Sequence, residues 1–217
     1  MKKLKLFLSV CVIVSVYSCK KDDVDPVIPV VPHIYDDYSP YKTGNYWVYE
    51  LFSVDASGNA TSLNTFDSCY ISGDTIINGN TYSKLVQPDI INPPTVTLCL
   101  RDSLHYIVDQ NGQILFSSED FTSVFSINII TAGTDTVCNI VNKMEDKDML
   151  YSTPSGTFTT SSFVHRYDFT PAWSMNGSVR RQYYRYAKNT GLVSETLPFY
   201  ASDPDYKERR LIRYHLQ

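Results

Sequence analysis

Apolar and polar residues alternate along most of this chain with the two-residue period of strands, not the 3.6-residue period of helices. The clearest stretch is Gly44–Val54, GNYWVYELFSV, in which Trp47, Tyr49 and Leu51 share one face and Tyr46, Val48, Glu50, Phe52 and Val54 share the other. Both faces carry apolar bulk, so this strand is expected to be covered on two sides. After the loop Asp55–Asn59, strands are expected at Thr61–Ser72, from Gly73 to a turn at Asn78-Gly79, and at Thr81–Val86, followed by the loop Gln87–Pro94. Asn-Gly between β-branched residues marks a tight hairpin, because both positions tolerate the positive φ of a type I′ turn. The pattern continues through Thr95–Arg101, Leu104–Asp109, Gln113–Ser117, Phe121–Ile130 and Thr134–Asn142 to a charged turn at Glu145–Asp148. It closes with Thr159–Phe169, Val179–Ala187, Gly191–Phe199 and Lys207–Leu216. Turn signals recur every ~8–12 residues and no helical period is sustained. The fold class predicted is all-β: a single curved antiparallel sheet with meander connections, a half-barrel or open barrel, with little helix.

The N-terminus breaks this pattern. Lys2, Lys3 and Lys5 precede an apolar run from Leu6 to Tyr17, the layout of a secretory signal, and the run is shorter than the ~20 residues of a permanent spanning helix. Val16-Tyr17-Ser18-Cys19 resembles the lipobox of bacterial lipoproteins, with Val16 where leucine is usual and Tyr17 where a smaller residue is usual. That resemblance implies cleavage before Cys19, a lipid on its thiol, and membrane attachment through this anchor. The charged stretch Lys20–Asp23 resembles the tether of Bacteroidota surface lipoproteins, which implies an outer-membrane location facing the cell exterior. Pro26, Pro29, Pro32 and Pro40 then forbid a regular helix and favour an extended spacer. The expected organisation is a signal peptide at 1–18, a lipidated cysteine and proline-rich tether at 19–40, and one antiparallel β domain at 41–217.

Composition narrows the partners. The 217 residues are 43% hydrophobic and 19% charged, enough apolar material for a sizeable core, and the net charge of −4 argues against a nucleic-acid partner. Charge is unevenly spread: residues 1–150 hold 10 basic against 18 acidic side chains, and residues 151–217 hold 9 against 5. In the basic third, Arg181, Tyr183 and Arg185 share a face of one expected strand, and Arg209, Arg213 and His215 share a face of another. In one meander these two sets would make either a basic patch for an acidic lipid head or polysaccharide, or a plain solvated face. Beyond the leader and Cys19, Cys69, Cys99 and Cys138 are an odd number, so at most one disulfide forms; Cys69 with Cys99 is the first candidate, and buried unpaired thiols are the alternative.

No HExxH, CxxC, GxSxG, phosphate-binding loop or dinucleotide glycine fingerprint is present. The histidines, His33, His105, His165 and His215, are scattered, and the acid pairs Asp146/Asp148 and Asp203/Asp205 fall in expected turns, where acids are common. Neither an enzyme nor a cofactor or metal is expected. Thr75, Ser103 and Thr136, each preceded by Asp and followed by an apolar residue, match the O-glycosylation acceptor pattern of secreted Bacteroidota proteins. The 17 tyrosines suit half-exposed strands, or aromatic platforms for sugars.

Tyr41–Glu50, Pro154–Phe158 and Tyr184–Glu195, read together, resemble a set of Bacteroidota-type lipoproteins of unknown function. Those proteins open with GNxWxYE, carry PxGTF in mid-chain and close with GLVxxE. The resemblance implies a curved sheet related to the half-barrel of periplasmic lipoprotein carriers and to lipocalin-like folds, with no catalytic residue to carry over. The function it implies is non-covalent binding of a hydrophobic ligand or a glycan on the concave face. The alternative is a structural or assembly partner in an outer-membrane protein complex.

Overall fold

A computed structural model of the chain describes residues 33–90, 95–175, 177–198 and 206–217. The expected signal, Cys19 and the pair Asp203/Asp205 lie outside them. Twelve strands are built: β1 (Tyr46–Val54), β2 (Ala60–Ile77), β3 (Asn80–Pro88), β4 (Thr95–Ser103), β5 (Tyr106–Asp109) and β6 (Ile114–Ser117), then β7 (Val124–Ala132), β8 (Asp135–Thr153), β9 (Gly156–Phe169), β10 (Val179–Ala187), β11 (Gly191–Pro198) and β12 (Tyr206–His215). They form one antiparallel sheet in the order β6-β5-β4-β3-β2-β1-β12-β11-β10-β9-β8-β7. Each half is a meander, and the pairing of the first strand with the last joins the halves. The expected all-β class holds, with a sheet that is nearly closed into a barrel.

Two expected interruptions are bulges inside long strands. Gly73, at φ +139°, lies within β2, where pairing to β3 shifts between Ile71 and Asp74. The charged segment Glu145–Asp148 lies within β8, where pairing to β9 shifts between Glu145 and Met149 and both Asp146 and Asp148 adopt positive φ. An extra residue bends a strand and increases its twist without ending it. Turn-type residues therefore mark where this sheet curls.

The remaining gap lies between β6 and β7, which do not pair with each other. Side chains close it: the Ser117 amide donates to Met144 Sδ at 3.2 Å, and Phe116 packs 4.7 Å from the Tyr186 ring. Because neighbouring strands alternate in direction, the connections after odd-numbered strands gather at one end and those after even-numbered strands at the other. The second end is covered by Ile34–Asn45, a segment expected to belong in part to the tether. Asn189 N–H donates to Asp37 O at 2.7 Å, Asn45 Nδ2 to Pro40 O at 2.6 Å, and the Tyr38 ring packs, tilted, 4.7 Å from that of Phe116. Gly191 beside it sits at φ +86°, a conformation that L side chains rarely adopt, although a Cβ there would make only ordinary contact, 3.4 Å from the Pro40 ring and 3.7 Å from Trp47.

Candidate functional site

The inner face of the barrel does not fill. Trp47, Tyr49, Cys69, Ile71, Val193 and Leu211 pack as one cluster, and Ile107, Phe116, Met144, Phe163 and Tyr186 as another. Beside them lies a cavity of about 640 Å³, within the size range of small-molecule sites. One wall is apolar, with Leu85 from β3, Val96, Leu98 and Leu100 from β4, and Leu115 from β6. The facing wall is polar and aromatic, with His165 and Tyr167 from β9, Gln182, Tyr184 and Tyr186 from β10, Glu195 from β11 and Arg209 from β12. The exposed side chains Asp89, Gln110 and Gln113, which follow β3 and β5, mark its mouth at the end opposite Ile34–Asn45.

At the centre of the polar wall, Glu195 and Arg209 stand directly opposite across the β11–β12 ladder and form an ion pair, with 6% and 2% of their side chains exposed. Arg209 also donates from Nη2 to Gln87 Oε1 at 3.2 Å and lies 5.2 Å from the centre of the Tyr49 ring. Gln182 Nε2 donates to Glu195 Oε1 at 3.3 Å and to the Tyr184 hydroxyl at 2.8 Å, while the Tyr167 hydroxyl donates to Gln182 Oε1 at 3.1 Å. Burial raises the Glu195 carboxyl above the usual range, against the pull of Arg209. Burial also works against the Arg209 charge, but Glu195 and its neighbours outweigh it and hold the guanidinium above its ordinary value. Direct contact favours the charged form of each partner. Burial pushes His165, which shares a hydrogen bond with Asn142, down to about 4, so this wall presents a neutral imidazole.

The bond network ties the wall to the first strand. The Trp47 indole N–H donates to Thr190 O and the Tyr49 hydroxyl to Leu192 O, each at 2.7 Å. Trp47 and Tyr49, legible in the sequence as sharing one face of the first strand, both line the cavity. Arg209 and Glu195 were not legible as a pair.

Several expectations meet a different geometry. The Cys69–Cys99 disulfide is absent and both thiols are free. Cys69, on β2, faces inward opposite Trp47, whereas Cys99, on β4, pairs with Lys84 of the intervening β3. Two strand spacings come to ~9–10 Å and the side chains point to opposite faces, beyond the reach of a disulfide. Cys69 is buried near Arg209, and burial raises its thiol to about 11.

The expected basic patch also divides. A shift in the β1–β12 register between Val48 and Tyr49 places Arg209 opposite Leu51 on the inner face, while Arg213 pairs with Val48 on the other. His215 stacks on Tyr46 at 5.7 Å. Thr75 and Ser103 are half-buried and Thr136 is exposed. Asp146 and Asp148 are exposed at the β8 bulge.

The sequence matches no protein-family model and no curated protein. Among solved structures, a candidate lipoprotein from Parabacteroides distasonis is similar at 13% identity and a TM-score of 0.47, over 84% of this chain and 100% of that one. A candidate exported protein with a YmcC-like fold from Bacteroides fragilis is similar at 12% identity and a TM-score of 0.43, over 81% of this chain and 97% of that one. Likenesses this distant carry nothing about activity.

Proposed function

We propose that this chain is a lipid-anchored envelope protein whose barrel holds a neutral amphipathic small molecule. The observation that carries the reading is the two-walled cavity, with leucines and valine along one side and glutamine, tyrosine and imidazole groups along the other. An apolar chain laid on the β3–β6 wall is removed from water at ~25 cal/mol per Å². Its polar end meets Gln182, Tyr184 and Gln87. Charge argues against an anionic end: the lining carries Asp89, Asp109 and Glu195 against Arg209 alone, and Arg209 is already compensated. A free carboxylate would have to break that pair inside a low-dielectric wall.

The test uses the two tryptophans. Trp173 is exposed, so Trp173→Phe leaves Trp47 in the cavity wall as the reporter. A medium-chain monoacylglycerol titrated into the full chain is expected to shift Trp47 emission saturably. Filling the apolar wall with Val96→Phe and Leu98→Phe is expected to abolish the shift. No response to neutral amphiphiles, together with a bare polypeptide mass by native mass spectrometry after gentle purification, overturns the reading. The anchor is tested separately by palmitate labelling, which Cys19→Ser should abolish, and its exterior side by protease shaving of intact cells.

A second reading, an assembly partner in a larger envelope complex, is favoured by one observation. Edge strand β7 is paired only on its β8 side and presents Ile127 and Ile129 at 60% and 64% exposure. Unpaired edges of this kind invite strand addition. Crosslinking in cells that recovers only monomer removes this reading.

A further inference from the structure

A second concavity lies on the outer side of the same strands. It has a volume of about 400 Å³ and is lined, among the described residues, by four arginines, Arg180, Arg181, Arg185 and Arg210, and one carboxylate, Glu208. Glu208 and Arg210 flank the inward-facing Arg209 on β12 and therefore point outward. Tyr151 and Tyr183 complete the walls. We infer that this pocket binds a phosphorylated polar group, of a phosphoester head or a free phosphoester.

Glu208 is buried, with 5% of its side chain exposed, and both its oxygens are taken. Oε2 accepts from Arg210 Nε and Nη2 at 3.0 and 2.7 Å. Oε1 accepts from Ser194 Oγ at 2.7 Å, from the Tyr151 hydroxyl, and from Arg185 Nη1 at a long 3.4 Å. One carboxylate is thus shared by two guanidinium groups, which leaves positive charge uncompensated in the pocket. Glu50 stands opposite Arg210 on β1 and accepts from Ser62 Oγ; it does not line the pocket, and it offsets the Arg210 charge only from beyond ion-pair distance.

Arg185 is also held in place. Its guanidinium carbon lies 4.4 Å from the centre of the Tyr151 ring and 4.7 Å from that of Tyr183. These cation–π contacts hold the guanidinium without consuming N–H donors. Only Nη1 has hydrogen-bond acceptors, Ser194 and Glu208, both at 3.4 Å, so the planar donor fork is pre-organised for an oxyanion. Arg181 brings a further charge at the exposed rim, where it pairs with Glu145 at 3.1 Å; Lys143 bonds the other oxygen of that carboxylate at 3.0 Å. The concavity holds more than a bare phosphate, which fits a glycerol- or sugar-sized phosphoester.

The full chain, solubilised in dodecyl maltoside so that a detergent can fill the barrel, is titrated with glycerol 1-phosphate and, as a control, glycerol. Saturable binding of the phosphoester alone is expected, weakened at least about tenfold in the double variant Arg185→Gln/Arg210→Gln. Arg181→Gln lies at the exposed rim, leaves the fold intact, and should weaken binding about threefold. Flotation with phosphatidylglycerol against phosphatidylcholine vesicles identifies the source. Variant-sensitive binding to the anionic vesicles marks a lipid head, and binding of the soluble ester alone marks a free one. Absence of saturable phosphoester binding, or binding that Arg181→Gln and the double variant leave unchanged, overturns the inference.

Discussion

Residues 208 and 209 are neighbours on one strand and belong to two different electrostatic regions. Inward, Arg209 meets one carboxylate, Glu195, and the pair is closed on itself inside a half-apolar cavity. Outward, Glu208 meets two arginines, and the surplus charge faces a solvent-accessible concavity. The chemistry is the same and the stoichiometry differs. One-to-one pairing in a low-dielectric wall produces a surface that discriminates against charge, whereas two-to-one pairing nearer water produces one that attracts it.

The contrast can be broken in order of expected effect. Glu195→Leu strands the Arg209 guanidinium and should cost about 3–5 kcal/mol, a drop of about 10 °C in Tm for a domain of this size. Adding Arg209→Met in the same chain should recover most of the loss, because the penalty belongs to the unpaired charge. A double variant that melts as low as the single one shows instead that the pair itself is needed for packing.

His165 comes next. Its folded value of about 4 lies below the ordinary 6.5, so the unfolded chain takes up the proton first. Its contribution is therefore fully present above pH 6.5 and is lost as pH falls toward 4, by at most about 3 kcal/mol. Stability measured by urea unfolding across that window should flatten in His165→Gln, and an unchanged slope assigns the acid sensitivity elsewhere.

Glu208→Gln should have a smaller effect, about 1–2 kcal/mol, because Arg185 and Arg210 can still reach water. The same change removes the competing carboxylate, so glycerol 1-phosphate should bind several-fold tighter while the Trp47 response to monoacylglycerol stays constant. Smallest is Arg181→Gln, within about 0.5 kcal/mol by thermal melting, as befits an exposed pair. A larger loss would place Arg181 in the fold instead of at the rim.

Much of the fold was legible because alternation and turn chemistry are local. The tight turn at Asn78-Gly79 has positive φ at both residues, as a type I′ hairpin demands, and Trp47, Tyr49 and Leu51 do share a buried face. What misled were residues with two local meanings. Gly73 and Asp146 adopt turn-like conformations, yet each sits in a bulge of a continuous strand. The cavity was half legible, as a concave face beneath a curved sheet. Its polar wall was not, because Glu195 and Arg209 stand on separate strands and each reads alone as an ordinary surface charge.

By itself, then, the sequence determined the strand period and the antiparallel meander, both of which depend on residues within a few positions of one another. Only the tertiary structure decided which side of the sheet is inside. Alternation assigns relative faces, but each bulge inverts them, and the register between β1 and β12 joins residues more than 150 positions apart. Arg209 became a cavity residue and Arg210 a surface one through that pairing. The β2–β3–β4 meander separated Cys69 from Cys99, and the β10–β11–β12 pairings brought Arg185 and Arg210 to a single carboxylate.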